Sequence, residues 1–210
     1  GIFRLKRKIV FDSLAIGMSP FLMNLAACFI VIIINQGLKK YGGDLAIGAF
    51  GIVNRLVFIV VMIVMGLNQG MQPIAGYNFG AKLYGRVNKV LKLTIIYATA
   101  VTTFGFLVGM LVPDLVVGIF TSDAELTELS VTGLRITVMF FPIIGFQMVT
   151  SNFFQSIGMA GKAIFLSLTR QMLILLPCLL ILPQFFGVAG VWYSMPVSDL
   201  LASLIALVML

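Results

Sequence analysis

Six apolar stretches, each long enough to cross a bilayer, take up almost the whole of this chain, at about 13–37, 46–71, 91–112, 129–155, 163–183 and 188–209. Gly42-Gly43, Pro113-Asp114, the segment from Gly158 to Gly161, and Gly187 separate them; glycine and proline are the strongest interrupters of helical runs. A hydrocarbon core of ~30 Å takes ~20 residues of α-helix. Of 210 residues, 60% are hydrophobic and only 10% charged, whereas a soluble domain carries about 25% charged residues. Backbone placed in lipid must satisfy its own N–H and C=O groups, which for runs of this length means helix. The expected fold is an all-α integral membrane protein, a six-transmembrane-helix bundle.

The formal charge of +7 does not signal nucleic-acid binding, because no basic, polar domain exists to carry such a function. The cations lie in short clusters between apolar runs. With the N-terminus inside, the inner segments hold Arg4, Lys6, Arg7 and Lys8, then Lys82, Arg86, Lys89 and Lys92, then Lys162; the outer loops hold only Lys39 and Lys40. That bias puts both ends of the segment in the cytoplasm. The head resembles a signal-peptide n-region, but the apolar run behind it is too long and lacks a small-residue cleavage site. Residues 1–12 are expected to be a cytoplasmic linker tail and 13–210 the helical bundle. A start at Gly1 rather than Met points to a piece of a longer chain.

Other features take structural readings. Residues 80–92 interleave Leu83, Val87, Val90 and Leu91 with Lys82, Arg86, Lys89 and Lys92, as in a surface helix lying on anionic headgroups. Ser122-Asp-Ala-Glu125 matches a capping box that starts a short outer helix; Asp123, Glu125 and Glu128 then serve capping and a solvated face rather than a cation site. Cys28 and Cys178 fall inside apolar runs and read as small buried hydrophobes, not a disulfide. With no histidine, His-ligated metals and His-based triads are excluded. No constellation of acids or metal ligands suggests an enzyme or a cofactor.

The informative residues are polar groups at membrane depth. Asn24, Asn54, Asn68, Gln69, Gln147, Ser151 and Gln155 are candidates for the wall of a substrate cavity. A lone amide in a membrane helix is commonly interhelical glue, but Gln147, Ser151 and Gln155 repeat at i, i+4, i+8 and share one face, and a stripe of that length suggests a wet wall. Arg55 belongs with the cavity candidates and with a second pair. It lies about nine residues, and Asp199 about eleven, below the outer start of their helices, ~13–17 Å deep by helix rise. Matching depths suggest that Arg55 and Asp199 pair or act in coupling, since an unpaired charge there is costly; each facing the cavity alone, or Arg55 snorkelling, stays open. Arg170 lies near the cytoplasmic side, where snorkelling accounts for it. Pro20, Pro142, Pro177 and Pro196 introduce kinks.

Gly66-Leu-Asn-Gln-Gly-Met-Gln-Pro-Ile-Ala-Gly-Tyr-Asn-Phe-Gly-Ala81, with Phe120-Thr-Ser-Asp123, Phe154-Gln-Ser-Ile-Gly158 and Ser167-Leu-Thr-Arg-Gln171 in order behind it, resembles the C-terminal half of a multidrug and toxic compound extrusion (MATE) transporter of the bacterial MepA-like branch. The resemblance covers essentially the whole chain. It implies one lobe of a twelve-helix protein of the bacterial cytoplasmic (inner) membrane, exporting small cationic or amphipathic drugs by alternating access in exchange for Na⁺ or H⁺. The partners it implies are the bilayer, such drugs and a missing N-terminal six-helix lobe. Some members couple ions through a glutamate in helix seven and an aspartate in helix ten. The corresponding neighbourhoods here, Met23-Asn24-Leu25 and Phe146-Gln147, hold no acid, so coupling is expected mainly in the other lobe. A lipid-linked saccharide flippase of the same superfamily and a non-transporting membrane fragment are the alternatives.

Green fluorescent protein fused after Leu210 should fluoresce, and alkaline phosphatase inserted between Gly42 and Gly43 should be active; the reverse pattern would invert the assigned orientation.

Overall fold

The computed structural model describes residues 7–210, less several side chains between residues 8 and 23 and that of Ala160. Arg4, Lys6, and the side chains of Lys8, Pro20 and Met23 lie outside the described residues. Residues 7–12, expected in a linker tail, already belong to the first helix.

Helix α1 runs from Arg7 to Gly80 with one non-helical residue inside it, Gly43, at φ 68° and ψ −163°. It is a hairpin. Asn24 and Asn68 line one cavity, whereas in a straight helix the ~44 residues between them would span ~66 Å. The two glycines have different jobs. Gly43 takes a backbone conformation that L side chains rarely adopt, while a Cβ on Gly42 would sit 2.6 Å from Val188. The second arm does not end at Pro73 or Gly76, as the string there suggests, but continues to Gly80. Gly76 instead permits close approach to another helix, its missing Cβ falling 2.9 Å from the Ser156 carbonyl oxygen.

A turn holding Lys82 at φ 58° leads into α2 (Tyr84–Leu111). The amphipathic pattern of 80–92 is present, with Val87 and Leu91 buried and Lys82, Arg86, Lys89 and Lys92 exposed. It does not form a separate surface helix; it is the turn and the first two turns of α2. No proline stands between Tyr84 and Leu111, so nothing interrupts the helix there.

Short α3 (Pro113–Gly118) precedes α4 (Ala124–Val138) and α5 (Phe141–Ser156). The α4 cap is Asp123, whose Oδ1 accepts the Leu126 N–H at 2.8 Å, rather than Ser122. The stretch expected to be one span, 129–155, is two helices meeting at 55°. Pro142 stands in the first turn of α5, where it has no N–H to donate to the Val138 carbonyl and its ring would clash with that group in a continued helix.

Helix α6 (Ala160–Leu168) passes into a π-helical segment (Thr169–Leu175) and then α7 (Leu176–Phe186). The Leu176 N–H reaches back five residues to the Gln171 carbonyl. Pro177, just beyond, cannot donate, and a widened turn is one way for a helix to accommodate that loss. Gly187 at φ 58° turns the chain into α8 (Val188–Met209). Among the described residues, Asn24–Gly80, Tyr84–Leu111, Gly161–Phe186 and Val188–Met209 are each long and apolar enough to cross a membrane, and the bent pair α4–α5 adds a fifth.

Among the long apolar spans, helix α8 is the most buried. Half of its most apolar window is buried, against 22–28% in the other three. Its Trp192, 2% exposed, packs against Phe50 at 6.0 Å between ring centroids and over Gly133, where a Cβ would lie 2.6 Å from the indole. Large apolar side chains such as Phe58, Ile96, Phe104 and Leu207 are exposed on the outer surface, as expected of a surface facing lipid. Cys28, expected to be buried, is exposed, and Cys178 is partly buried; both are free thiols.

Close helix approach sets a sharp mutational contrast. A Cβ at Gly145 would meet the Ala98 carbonyl oxygen and Thr102 Oγ1, both at 2.8 Å, while one at Gly51 meets nothing within 4 Å. Gly145→Ala should therefore destabilise by ~1–3 kcal/mol and Gly51→Ala should not, read as melting temperatures of the purified protein.

Candidate functional site

Several buried hydroxyl groups are already occupied by their own helices. Thr94, Thr102, Thr137, Thr150, Ser194 and Ser203 each donate to the carbonyl four residues back, at 2.7–3.0 Å. Ser198 donates to the Met195 carbonyl at 2.7 Å. The serines of α8 thus contribute little to any site.

The carboxamides behave differently. A cavity of about 480 Å³ opens on one face of the lobe and brings together six of the predicted residues, Asn24, Asn68, Gln69, Gln147, Ser151 and Gln155. The two arms of α1 supply the first three and α5 the rest. The i, i+4, i+8 stripe of α5 thus lies along one wall. Ser151 is anchored there, its hydroxyl 3.0 Å from that of Ser167 and 3.4 Å from the Ala163 carbonyl oxygen.

Gln72, Asn152, Arg170 and Gln171 complete the polar lining, together with Ser167. Gln72 Nε2 donates to Asn152 Oδ1 across a long 3.5 Å, and Asn152 Nδ2 to the Met148 carbonyl at 2.9 Å. The signal for Gln72 and Asn152 was present in the sequence: one stands four residues after Asn68, the other next to Ser151.

Two lining amides carry buried atoms without partners. Asn68 is 2% exposed, and neither its Oδ1 nor its Nδ2 has a hydrogen-bond partner; Gln171 Oε1 has none either. A buried amide left unpaired costs ~1–3 kcal/mol, a cost that a bound molecule or water can relieve. Among the described residues, no Asp or Glu lines this cavity. No group of three or more His, Cys, Asp or Glu able to hold a metal occurs among the described residues.

A second cavity, about 220 Å³ and mostly apolar, lies behind the first, with Asn54, Arg170, Ser198 and Asp199 in its wall. Here the expected Arg55–Asp199 pair is replaced by another. Arg170 Nε donates to Asp199 Oδ1 at 2.7 Å, and Arg170 Nη2 lies 2.6 Å from the same oxygen. The Asp199 side chain is 5% exposed and that of Arg170 32%. Arg55 is exposed and lines neither cavity. Matching depth along two helices says nothing about the direction in which each residue points. Its neighbour Asn54 lines the second cavity, and one residue along a helix is a rotation of about 100°. Arg170 is engaged by Asp199 of α8 rather than left to snorkel.

A family model described as MatE matches residues 18–181. The multidrug export protein MepA of Staphylococcus aureus (strain MSSA476) is 28% identical over 201 residues, a match covering 96% of this chain and 44% of that protein. The chain thus spans about half the length of the curated relatives it matches. Among solved structures, the MATE multidrug transporter DinF-BH superimposes with a TM-score of 0.86 at 36% identity, over 98% of this chain and 46% of that one. An outward-facing multidrug resistance MATE family transporter of the MOP superfamily gives 0.89 at 21% identity, over 99% and 47%; at that identity the likeness is one of fold.

Removing one partner of a buried ion pair strands the other, at ~3–5 kcal/mol, whereas apolar replacement of both is close to neutral. Asp199→Leu alone should lower the melting temperature sharply, and Arg170→Leu with Asp199→Leu should recover most of the loss. Arg55→Gln combined with Asp199→Leu should recover nothing.

Proposed function

The chain belongs to the MatE family, and from that membership and the amide-lined cavity we propose that it forms one six-pass lobe of a twelve-helix secondary transporter. The whole protein exports cationic and amphipathic drugs by alternating access, in exchange for Na⁺ or H⁺. Six passes result when the arms of α1 count separately, α4 and α5 form one bent pass, and α6, the π segment and α7 form another. The basic turn at Lys82 and Lys162 faces the cytoplasm, in the inner membrane of a bacterium.

The carrying observation is the cavity of about 480 Å³, open on one face and lined by carboxamides contributed by separate passes. A wall of that kind needs an opposing wall before it can enclose a cargo, and a second six-pass lobe supplies it. Hydrogen-bonding groups spaced along an apolar recess can orient varied amphipathic molecules without demanding one shape. With no carboxylate in this wall and Asp199 engaged by Arg170, ion coupling falls chiefly to the other lobe. A flippase for lipid-linked pyrophosphates calls for a strongly cationic cavity, and Arg170 is the only cation in this one.

The full-length protein, expressed in a host lacking its own efflux pumps, should raise the inhibitory concentrations of cationic dyes and biocides several-fold, dependent on a Na⁺ or proton gradient. Asn68→Leu should lower that protection at unchanged protein level, because it removes an amide that supports no other part of the fold. Absence of ion-dependent protection against every cationic drug tried would sink the reading.

A further inference from the structure

Among the described residues, Arg170 is the only charged one in the wall of the amide cavity, and its guanidinium is only half used. Both contacts to Asp199 come from one edge of the group, Nε and Nη2, and both fall on Oδ1. Neither engages Nη1. Asp199 lines the second cavity and not the first, whereas Arg170 lines both. The carboxylate thus holds the guanidinium from behind, and about a third of the arginine side chain remains exposed.

We propose that Arg170 is an anion-recognition point that takes the carboxylate, or a comparable oxyanion, of a zwitterionic or acidic amphiphile; this deepens, and rests on, the transport reading above. A guanidinium is planar, permanently charged and suited to oxyanions, and its charge-assisted hydrogen bonds are about twice as strong as neutral ones. The surroundings fit an oxyanion. No carboxylate in the wall repels it, and the buried Asn68 Nδ2 is a donor without a partner. A cargo cation placed against the same wall finds no counter-charge and meets the guanidinium instead. A zwitterion therefore binds with its acidic end on this lobe and its cationic end turned away from it. Asp199 acts as a positioning residue. It fixes the plane of the fork from the side of the second cavity, and Arg170, carried on the π segment, stands at the border of the two cavities.

The test uses the purified full-length protein in detergent and two fluorescent probes: a xanthylium dye carrying a free benzoate, and the same dye as its methyl ester. Fluorescence anisotropy gives both affinities. The wild type should bind the acid about tenfold more tightly than the ester. Arg170→Gln should bring the ratio of the two affinities to near one. Arg170→Lys keeps a cation beside Asp199 and so protects the fold, but loses the fork; its ratio should fall several-fold. Equal binding of the two dyes by the wild type, or a wild-type ratio retained in Arg170→Lys and Arg170→Gln, overturns the proposal while leaving the transport reading in place if the ester is bound and exported. If neither dye binds the wild type, both are overturned.

Discussion

Lipid offers no hydrogen bonds, and that one deficit organises the lobe. Each polar group must find a protein partner or else face a space that water or cargo can enter. The helices absorb the first kind: the hydroxyls of α2, α4 and α8 turn back onto carbonyls of their own helices, as Thr102 does to Ala98 and Ser203 to Asp199. Amides divide: Asn78 and Asn152 donate to carbonyls four residues back in their own helices, while others do not. Those of α1 and α5 collect around one recess, where Asn68 and Gln171 keep buried atoms unpaired. Own-helix bonds thus occupy many polar groups, while the cavity keeps buried amide atoms free for water or a ligand.

Glycine makes this arrangement compact. Helix pairs approach to backbone contact at Gly145 against Ala98 and at Gly76 against Ser156, and the Trp192 indole lies over Gly133. These contacts fix α5 and α8 relative to their neighbours, and with them the cavity wall and the Arg170–Asp199 pair. The site therefore rests on elements held by packing rather than on loops.

Much of this was legible in the residues. Apolar length marked the helices long enough to cross a membrane, glycine and proline marked the turns, and the repeat of Gln147, Ser151 and Gln155 lies along one wall of the cavity. What escaped was direction. Arg55 and Asp199 lie at matching depths, but a helix also assigns each residue an angle, and the angle of Arg55 points outward. The π segment was the deeper difficulty, because it shifts the facing of Arg170 without altering the hydrophobic pattern. Pro177 was its one visible trace. Pro142 likewise announced a kink, but not that the helix would break into α4 and α5 with a 55° bend.

The charges at the two ends of α2 carry a last consequence. Lys82, Arg86, Lys89 and Lys92 are exposed at its start, and Asp114, Asp123, Glu125 and Glu128 are exposed in the segments that follow its end. Measured from Lys92 or from its start, its 28 residues place the two groups ~29–42 Å apart, about the span of a bilayer's core up to its headgroups. The lobe is thus a macroscopic dipole matched to the membrane it sits in. An inside-negative potential acts on it as on a compass needle, at about 2.3 kcal/mol per charge per 100 mV. A membrane potential thus favours one orientation of these charged ends over the other.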